Sequence, residues 1–376
     1  MKILLVIDSL GSGGAQRQIT SLACGLKKRG HQVEIFNYYP NHNFYRPIIE
    51  KTKIKIIDVF GKKRGFSPKV LYQLILTLRK GKYDLALSFL NSPSFYLEIS
   101  HFLSPLTIKV VSERNSILDF RWRGFLRYFH RLSSCVVVNS QSHYESLWQA
   151  YPFLRNRLKV IYNGVDINAF TKQPFQKKGK STLKLLGIGR ISPQKNLLQL
   201  IHSLHFFYKQ NQWVPELNWV GRWDHSCATQ GAYWKSIEEL IDSMPEEVRK
   251  RINFLGEQRD IQKLLADSDA LILASHYEGL PNVVCEALAC GRPILASNVS
   301  DNRLLVKDGY RGFLFDPNKP DSISESISSL MKLKPEQRNL MSKRCREYAE
   351  QYLSNDIMIE GYQSLFEDLK KTLTFN

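Results

Sequence analysis

Short apolar runs alternate with longer amphipathic stretches along most of the chain, and this alternation occurs in two successive series. An apolar run that is followed by a helix and then by another run is typical of parallel strands covered by helices on both faces of a sheet. The first series predicts strands at 3–7, 33–38, 85–89, 109–112 and 135–139. The second series predicts strands at 183–187, 217–220, 252–255, 270–274 and 293–297. We therefore expect an α/β protein with two domains.

A polar, basic and aperiodic stretch at 171–182 separates the two series. Because it contains four lysines and a proline and has no apolar periodicity, we interpret it as a linker. The predicted organisation has an N-terminal domain at 1–168, a linker at 169–182, a second domain at 183–352 and a C-terminal helical segment at 353–376. A length of 376 residues agrees with two domains.

The charge of the chain is unevenly distributed. The whole sequence has 53 basic and 35 acidic residues, a net charge of +18, and the first 170 residues hold 25 of the basic and 10 of the acidic ones. The excess of positive charge therefore lies in the N-terminal half. A basic half beside a nearly neutral one indicates an anionic partner, which is a nucleic acid, an acidic lipid or a phosphorylated ligand.

Several classes of protein are disfavoured by simple features of the sequence. The six cysteines are scattered without a Cys-x-x-Cys pair, which predicts reduced thiols rather than a zinc ribbon or a disulfide framework. The apolar run after Met1 is too short for a signal peptide. No apolar stretch approaches the roughly 20 residues of a membrane span, so any membrane contact is expected to be peripheral.

Three partial motifs predict no cofactor site. In the glycine-rich stretch 11–16, Gln16 occupies the position of the third glycine of a dinucleotide fingerprint. The stretch 179–181 resembles the end of a phosphate-binding P-loop, but Pro174 stands where that loop requires a glycine. The Asp-Ser-Asp at 267–269 precedes a strand, and we interpret it as a helix end rather than a metal site. We expect no cofactor and no metal.

Two other features lie where predicted strands lead into helices, which is the ligand-binding edge of doubly wound sheets. Gly13-Gly14-Ala15 follows the first strand, and its glycines allow close approach of the backbone to a phosphate at a helix N-terminus. Gly189-Arg190 ends the first strand of the second series, and Lys195 begins the next helix. A guanidinium and an ammonium group at such a position suit a diphosphate.

A third junction carries two carboxylates. Glu278 and Glu286 are eight residues apart and flank a Gly-Leu-Pro-Asn loop at the start of a helix. The loop amides are suited to an anionic or polar ligand. A carboxylate accepts paired hydrogen bonds from vicinal hydroxyls, as found on a ribose or another sugar. Because Glu286 lies in a largely apolar helix, we favour a ligand-binding role for it.

Taken together, these motifs resemble the signature of the family-4 retaining glycosyltransferases with the GT-B fold, in the same order and spacing over essentially the whole chain. The matching motifs are Gly13-Gly14-Ala15, Tyr162-Asn163-Gly164-Val165-Asp166, Gly189-Arg190 with Lys195-Asn196, and Glu278 with Glu286. The resemblance implies GT-B architecture, in which two Rossmann-like, doubly wound domains face a cleft. It also implies that the first domain binds the acceptor and the second binds a nucleotide diphosphate sugar.

The resemblance also implies roles for individual residues. Arg190 and Lys195 would bind the diphosphate and stabilise the charge of the leaving group. Glu286 would hold the ribose hydroxyls, and Glu278 with the amides of 279–282 would contact the transferred sugar. The implied catalytic residues are Glu278, Arg190 and Lys195. The implied donor-binding residues are Gly14, Arg190, Lys195, Gln258, Arg259, Glu278, Gly279, Leu280, Pro281, Asn282 and Glu286.

The family's reaction retains the anomeric configuration, and it is discussed as a front-face substitution in which the leaving phosphate helps to deprotonate the acceptor. The resemblance implies that no metal is required, because the Arg190 and Lys195 pair neutralises the diphosphate. Gly14 would approach the phosphates from the first domain, and Gln258 and Arg259 lie where the family cradles the base.

The first domain departs from the family at one position. Many members carry a histidine near the sugar, and the corresponding stretch here is Val111-Ser112-Glu113-Arg114-Asn115, with Arg114 in its place. Arginine does not act as a base near neutral pH, but it binds phosphate. The predicted acceptor-binding residues are Glu113, Arg114 and Asn115. The alternative is a structural salt bridge between Arg114 and Glu113.

A segment at 121–131 contains four arginines and four aromatic residues. Arginines and aromatic rings together suit the headgroup region of an anionic bilayer. We therefore expect membrane contact through Arg121, Arg123 and Arg127, helped by Lys62-Lys63-Arg64. The alternative is an amphipathic helix whose aromatic residues belong to the core and whose arginines are solvated.

The predicted function is retaining transfer of a hexosyl or N-acetylhexosaminyl group from a nucleotide diphosphate sugar, with UDP favoured. The predicted acceptor is a lipid-linked glycan or lipopolysaccharide, at the inner face of the bacterial cytoplasmic membrane, in surface polysaccharide synthesis. The alternative enzyme is a sugar-nucleotide 2-epimerase, which shares the fold and uses no acceptor. A nucleic-acid partner is disfavoured, because the sequence shows no recognition motif or stacking module.

Overall fold

The computed structural model describes residues 1–61, 65–114, 117–171, 183–222 and 228–374 of the 376. The side chains at 117–123, 228–230 and 373–374 lie outside this description. The chain divides into two compact units. Unit 1 comprises Met1–Gly164 and Leu353–Asn376, and unit 2 comprises Val165–Tyr352.

Unit 1 is built on a parallel sheet with the strand order β3-β2-β1-β4-β5-β6-β7 in its described part. Its strands are β1 (Lys2–Ile7), β2 (Gln32–Asn37), β3 (Lys55–Asp58), β4 (Leu85–Phe89), β5 (Ile108–Glu113), β6 (Cys135–Val138) and β7 (Leu158–Val160). Alternate residues of β1 point to opposite faces, so Leu5 joins one apolar cluster and Leu4 joins the other. Helices therefore cover both faces of the sheet.

The described helices of unit 1 are α1 (Gly14–Lys28), α2 (Arg46–Lys51), α3 (Pro68–Gly81), α4 (Asn91–Ile99), α5 (Gln141–Ala150) and α14 (Asn355–Thr374). The 3-10 helices are Ser100–Leu103, Ile117–Leu132 and Pro152–Leu154. The C-terminal helix α14 packs against α1 through Met358 and Ile359. A Cβ atom on Gly25 of α1 would lie 2.1 Å from Ile359 Cδ1, so glycine permits this close approach.

Unit 2 has a second parallel sheet, with the order β10-β9-β8-β11-β12-β13 among the residues described. Its strands are β8 (Lys184–Ile188), β9 (Glu216–Val220), β10 (Ile252–Phe254), β11 (Ala270–Leu273), β12 (Ile294–Ser297) and β13 (Gly312–Phe315). Its helices are α6 (Leu197–Asn211), α7 (Ala228–Asp242), α8 (Glu246–Arg249), α9 (Ile261–Asp267), α10 (Asn282–Ala289), α11 (Asn302–Val306), α12 (Pro320–Lys332) and α13 (Pro335–Tyr352), with a 3-10 helix at Pro193–Lys195. The order 3-2-1-4-5-6 is that of a Rossmann-like sheet.

The predicted fold class is confirmed, since both units are doubly wound α/β structures with parallel sheets. Three strands were not predicted: β3 is only partly buried, β7 has three residues, and β13 begins at a glycine. The sequence-based domain ranges differ from the two units by a few residues, and most of the predicted linker, 172–182, lies outside the described residues. None of the described helices combines the length and the apolar character that a membrane crossing requires.

Candidate functional site

In unit 2 the strands β8 and β11 lie side by side, and the chain leaves them in opposite directions across the sheet. In a doubly wound sheet this is the point where the strand order reverses, and ligands bind outside the carboxyl ends of the two strands. The loop 189–196 follows β8, and the loop 274–281 follows β11. The predicted cations and one predicted carboxylate lie on these two loops.

Gly189 shapes the first loop. Its N–H donates to Val220 O at 2.9 Å, and its carbonyl accepts from the indole Nε1 of Trp219 at 3.0 Å. A Cβ atom at this position would lie 2.9 Å from Lys195 Cε. Glycine therefore allows the aliphatic part of Lys195 to pass across the loop backbone.

Lys195 and Glu278 form an ion pair between the two loops. The distance from Lys195 Nζ to Glu278 Oε1 is 2.5 Å, and the two side chains are 16% and 9% exposed. A pair that is largely shielded from water interacts more strongly than one on the open surface. The structure thus brings together a cation and a carboxylate that are 83 residues apart in the sequence.

Two further side chains, Gln194 and Ser300, fasten the loops, and sequence reasoning missed both. Gln194 Nε2 donates to Tyr277 O at 3.0 Å, and Gln194 O accepts from His276 N at 2.9 Å. Ser300 Oγ donates to Glu278 O at 2.7 Å and accepts from Glu278 N at 3.3 Å. Ser300 follows β12, the neighbour of β11, and this strand-end position was the available signal.

Arg190 is exposed and lies on the same loop as Lys195. Its guanidinium makes no hydrogen bond or ion pair with another described residue. An arginine at the carboxyl edge of a parallel sheet has its donors available for a phosphate group.

The helix α10 begins immediately after the Gly-Leu-Pro loop, with Pro281 at its N-cap. The first turn contains no acidic residue, and no side chain caps it, so its N–H groups are suited to an anion. Glu286 lies one turn further along α10 and is 2% exposed. Its contact with a ribose stays a prediction, as do the contacts of Gly279, Leu280 and Asn282.

Gln258 and Arg259 lie in the loop after β10, two strands from β8 at the same edge of the sheet, and both are exposed. Gln258 Nε2 donates to Leu255 O at 2.6 Å, which fixes the orientation of its amide. The end of the neighbouring strand β9 is joined to this loop, because Gly221 N donates to Gly256 O at 2.9 Å. Base binding by this loop stays a prediction.

Gly14 is the first residue of α1, at the carboxyl end of β1 in unit 1. Local packing explains why the preceding residue, Gly13, is a glycine. A Cβ atom on Gly13 would lie 2.2 Å from Gln16 Oε1, because the Gln16 side chain folds back and donates to Asp8 Oδ1 at 3.1 Å. The absence of a side chain at Gly13 therefore makes room for this contact at the start of α1.

The prediction that Glu113 binds an acceptor is corrected by the structure. Glu113 is 2% exposed, and both its carboxylate oxygens have partners inside unit 1. Arg127 donates to it through Nε at 2.8 Å and Nη2 at 3.0 Å, and the ring nitrogens of His130 and His143 lie at 2.8 and 3.0 Å. Burial alone would raise the pKa of Glu113, but the hydrogen bonds and charges of the two histidines hold it well below its usual value.

Arg114 is also internal, and its three guanidinium nitrogens all have partners. Nε donates to Ser112 Oγ at 3.2 Å, Nη2 donates to Tyr362 OH at 2.9 Å, and Nη1 donates to Asn163 Oδ1. The side chain is 8% exposed and stacks over Phe89 at 3.7 Å. Arg114 therefore fixes the C-terminal helix to the sheet instead of facing an acceptor. The alternative pairing with Glu113 is also wrong, because Arg127 takes that place. Asn115 lies outside the described residues.

The expected membrane contact of Arg127 is wrong for the same reason. Arg127 is 3% exposed, so its charge faces Glu113 inside the unit and not a lipid surface. The segment is the 3-10 helix Ile117–Leu132. Lys62-Lys63-Arg64 and the side chains of Arg121 and Arg123 lie outside the description.

The Asp-Ser-Asp motif lies at the opposite edge of the sheet in unit 2. Asp267 ends α9, and Asp269 Oδ2 accepts from Lys184 N at 2.8 Å, at the amino end of β8. The motif is therefore at the edge of the sheet that faces away from the two loops described above.

Comparison with known proteins identifies this arrangement. A family model described as "Glycosyl transferases group 1" matches residues 169–351, and one described as "Glycosyltransferase Family 4" matches residues 12–169. The structure of HepE from Anabaena in complex with UDP is 22% identical, with a TM-score of 0.82 over 98% of this chain and 100% of that one. Fold and site thus define a protein of the GT-B architecture.

Two curated bacterial enzymes are similar in sequence. An Escherichia coli alpha-1,3-galactosyltransferase, named as acting from UDP-Gal on GlcNAc-diphosphoundecaprenol, is 31% identical over 50% of this chain and 49% of its own length. A Campylobacter jejuni alpha-1,4-N-acetylgalactosaminyltransferase, named for an undecaprenol-linked acceptor, is 23% identical over 93% of this chain and 94% of its own length. The chain belongs to the family-4 glycosyltransferases, and it acts in glycosyl transfer for polysaccharide synthesis. These relatives do not favour the epimerase.

Proposed function

We propose that the protein transfers a hexosyl or N-acetylhexosaminyl group from a UDP-sugar to a lipid-linked glycan, with retention of the anomeric configuration. The observation that carries the proposal is the contact between Lys195 and Glu278 at the carboxyl edge of unit 2, beside the exposed Arg190. The printed names of the two curated relatives support an undecaprenol-linked glycan as the acceptor. Lipopolysaccharide is the second acceptor that we would test.

The two cations have complementary parts in the proposed reaction. Arg190 presents several donors to the diphosphate, while Lys195 places a point charge where the leaving oxygen becomes negative. Charge stabilisation of this kind is effective because the donors are oriented before the reaction begins. We propose that these cations neutralise the diphosphate without a metal, and that the leaving phosphate accepts the proton of the acceptor hydroxyl on the same face of the sugar.

Glu278 gives Lys195 its position. Glu278 is held by the ion pair of its carboxylate with Lys195 and by the two hydrogen bonds between its backbone and Ser300. When a diphosphate enters, it competes with Glu278 for the ammonium group, and the freed carboxylate oxygen becomes available to a sugar hydroxyl. The exchange couples donor binding to orientation of the transferred sugar.

We also propose that the protein works at an anionic bilayer surface, and that unit 1 contacts it through the loop 102–106. Phe102 is 70% exposed and Leu106 is 95% exposed. The loop is nevertheless held from within, because the buried Lys109 Nζ donates to Ser104 O at 2.5 Å and to Thr107 O at 3.2 Å. An ordered loop with exposed apolar side chains is suited to insertion between lipid headgroups.

The charges around this loop complement an anionic surface. Arg79 and Lys82 are exposed, and they line one cavity of about 690 Å³ together with Leu103 and Leu106. Arg79 Nε also donates to Leu103 O at 2.7 Å, so its charge stays beside the apolar residues. Each cation near an anionic membrane contributes about 1 kcal/mol to binding.

The decisive test of the proposed function is a transfer assay with purified protein. We expect slow UDP release from one UDP-sugar, strong acceleration by an undecaprenyl-diphosphate glycan, and a product with retained anomeric configuration by NMR. Lys195→Ala and Glu278→Gln should abolish transfer, whereas the exposed Lys209→Ala in α6 should be neutral. Interconversion of nucleotide sugars without UDP release would instead support the epimerase, and normal transfer by both site variants would refute the site.

A further inference from the structure

The turn between β12 and α11, residues 298–301, supports the loop that carries Glu278. Ser300 lies in this turn, and its hydroxyl contacts the Glu278 backbone on both sides of the Cα atom. Ser300 Oγ donates to Glu278 O at 2.7 Å and accepts from Glu278 N at 3.3 Å. A serine hydroxyl can donate and accept at the same time. One side chain therefore fixes both peptide groups that flank the Glu278 side chain.

The backbone of Ser300 has a conformation that favours glycine. Its φ is +49°, in the left-handed region, where a residue with a side chain is strained. Non-glycine residues persist in such conformations where the surrounding structure determines them, and they cluster at active sites and ligand clamps. A glycine would suit this backbone better but would lack the hydroxyl. The contacts with Glu278, rather than the turn itself, therefore explain why this residue is a serine.

Hydrogen bonds have a large part in joining the turn to the loop 274–281, because one side of their junction is open. Asn298 and Val299 of the turn and His276 of the loop all line a cavity of about 600 Å³. Side chains that face an open volume make fewer packing contacts than side chains in a core. The position of the loop is therefore sensitive to the loss of a hydrogen bond at this junction.

A second link joins the same two segments nearer to the sheet. Ser297 Oγ donates to Ser275 O at 2.7 Å, and Asn302 Nδ2 donates to Ser297 O at 3.0 Å. All three residues are fully buried. This link fixes the beginning of the loop, whereas the contacts of Ser300 act on Glu278 itself.

The contacts of Ser300 gain importance when the donor is bound. In the proposed exchange the diphosphate takes Lys195 away from Glu278, so the ion pair no longer orients the carboxylate. The two hydrogen bonds of Ser300 involve only the backbone of Glu278, so the exchange leaves them in place. Ser300 then holds the Glu278 backbone while the carboxylate contacts the sugar.

We propose that Ser300 is a positioning residue that directs Glu278 towards the transferred sugar and thereby contributes to the choice of that sugar, an inference that rests on the proposed function. A carboxylate held in one direction accepts a hydroxyl of one configuration and leaves its epimer without a partner. A site built to bind a hydroxyl discriminates strongly for this reason. A loosely held carboxylate adapts to both configurations and discriminates less.

Ser300→Gly tests the proposal, because it removes the hydroxyl and suits the left-handed backbone, so the protein should fold normally. Loss of two ordinary hydrogen bonds corresponds to a fall of roughly tenfold in kcat. The preference for one UDP-sugar over its epimer at a single hydroxyl should fall by about fivefold. The dissociation constant of UDP, which lacks the sugar, should change by less than about twofold.

Gln212→Gly is the matched control. Gln212 also lies in unit 2 and has φ +57°, at the exposed C-terminal end of α6. The substitution relieves the same kind of backbone strain away from the site, so kcat, sugar preference and UDP affinity should all stay at the wild-type values. A purely conformational effect of introducing glycine would appear in both variants.

A double-mutant cycle tests whether Ser300 acts through Glu278. Glu278→Asp keeps a carboxylate on a shorter side chain, so transfer should be slow but measurable. If Ser300 acts by orienting this carboxylate, adding Ser300→Gly to Glu278→Asp should lower kcat by less than about threefold further. Independent effects would multiply to the full tenfold loss and would overturn the proposal.

The outcomes separate this proposal from the proposed function. If the wild-type protein releases no UDP from any UDP-sugar, the proposed function fails. If the wild type is active and Ser300→Gly keeps its kcat and its sugar preference, the positioning role is refuted. A loss of UDP affinity as large as the loss of kcat would also overturn it, because Ser300 would then support the diphosphate site and not the sugar.

Discussion

Substitutions of Arg127 and Arg190 should have opposite effects on stability and on transfer, although the sequence analysis assigned both residues to function. Arg127→Met removes a buried guanidinium that donates three hydrogen bonds to the Glu113 carboxylate. Arg190→Met removes an exposed one without a described partner. We expect the first substitution to destabilise unit 1 with little effect on turnover, and the second to abolish transfer without loss of stability.

The magnitude for Arg127→Met follows from the surroundings of Glu113. Removing one partner of a buried ion pair costs about 3–5 kcal/mol, since the other charge stays buried. His130 and His143 still contact Glu113 after the substitution, so we expect the lower end, about 3 kcal/mol. For a unit of this size, about 2–4 °C per kcal/mol gives a fall of about 6–12 °C in Tm.

Calorimetry and circular dichroism would measure Tm, and transfer would be assayed well below both transitions. Because the chain has two units, the transition of unit 1 must be followed by itself, for example with a ligand-stabilised unit 2. The reasoning is refuted if Arg127→Met melts like the wild type, or if Arg190→Met loses comparable stability.

Three further results are expected. Burial alone would lower the pKa of His130, but Glu98 and Glu113 raise it from 6.5 to about 10. The stabilisation of the fold by His130 is therefore complete below pH 6.5 and is lost as the pH rises through 10. Urea titrations should show this decline in stability for the wild type and not for His130→Asn, and an identical decline in both proteins would contradict the prediction. Gly189→Ala should displace Lys195 and lower kcat with Tm almost unchanged, and normal transfer kinetics would count against the loop geometry. Leu106→Asp should weaken sedimentation with vesicles containing anionic lipid at least tenfold, whereas Leu340→Asp, exposed on α13, should not, and equal effects would reject the loop as the contact.

The alternation of apolar runs was enough to predict the fold, because most residues of the long strands are apolar and buried. The ten predicted strands all correspond to strands of the structure. Short or edge strands were not predicted, because partly buried sequences such as Lys55–Asp58 resemble loops. Periodicity reports burial, so it fails where burial is partial.

The sequence predicted which residues form the site but not which of them contact each other. Lys195 and Glu278 were both identified, yet their contact depends on which two strands are neighbours in the sheet. The misassignment of Arg127 has a different cause. A basic segment was judged by its own composition, whereas the relevant signal was Glu113 inside an apolar run, since a buried carboxylate requires a cationic partner. Acidic residues in predicted strands therefore indicate which nearby arginines are structural.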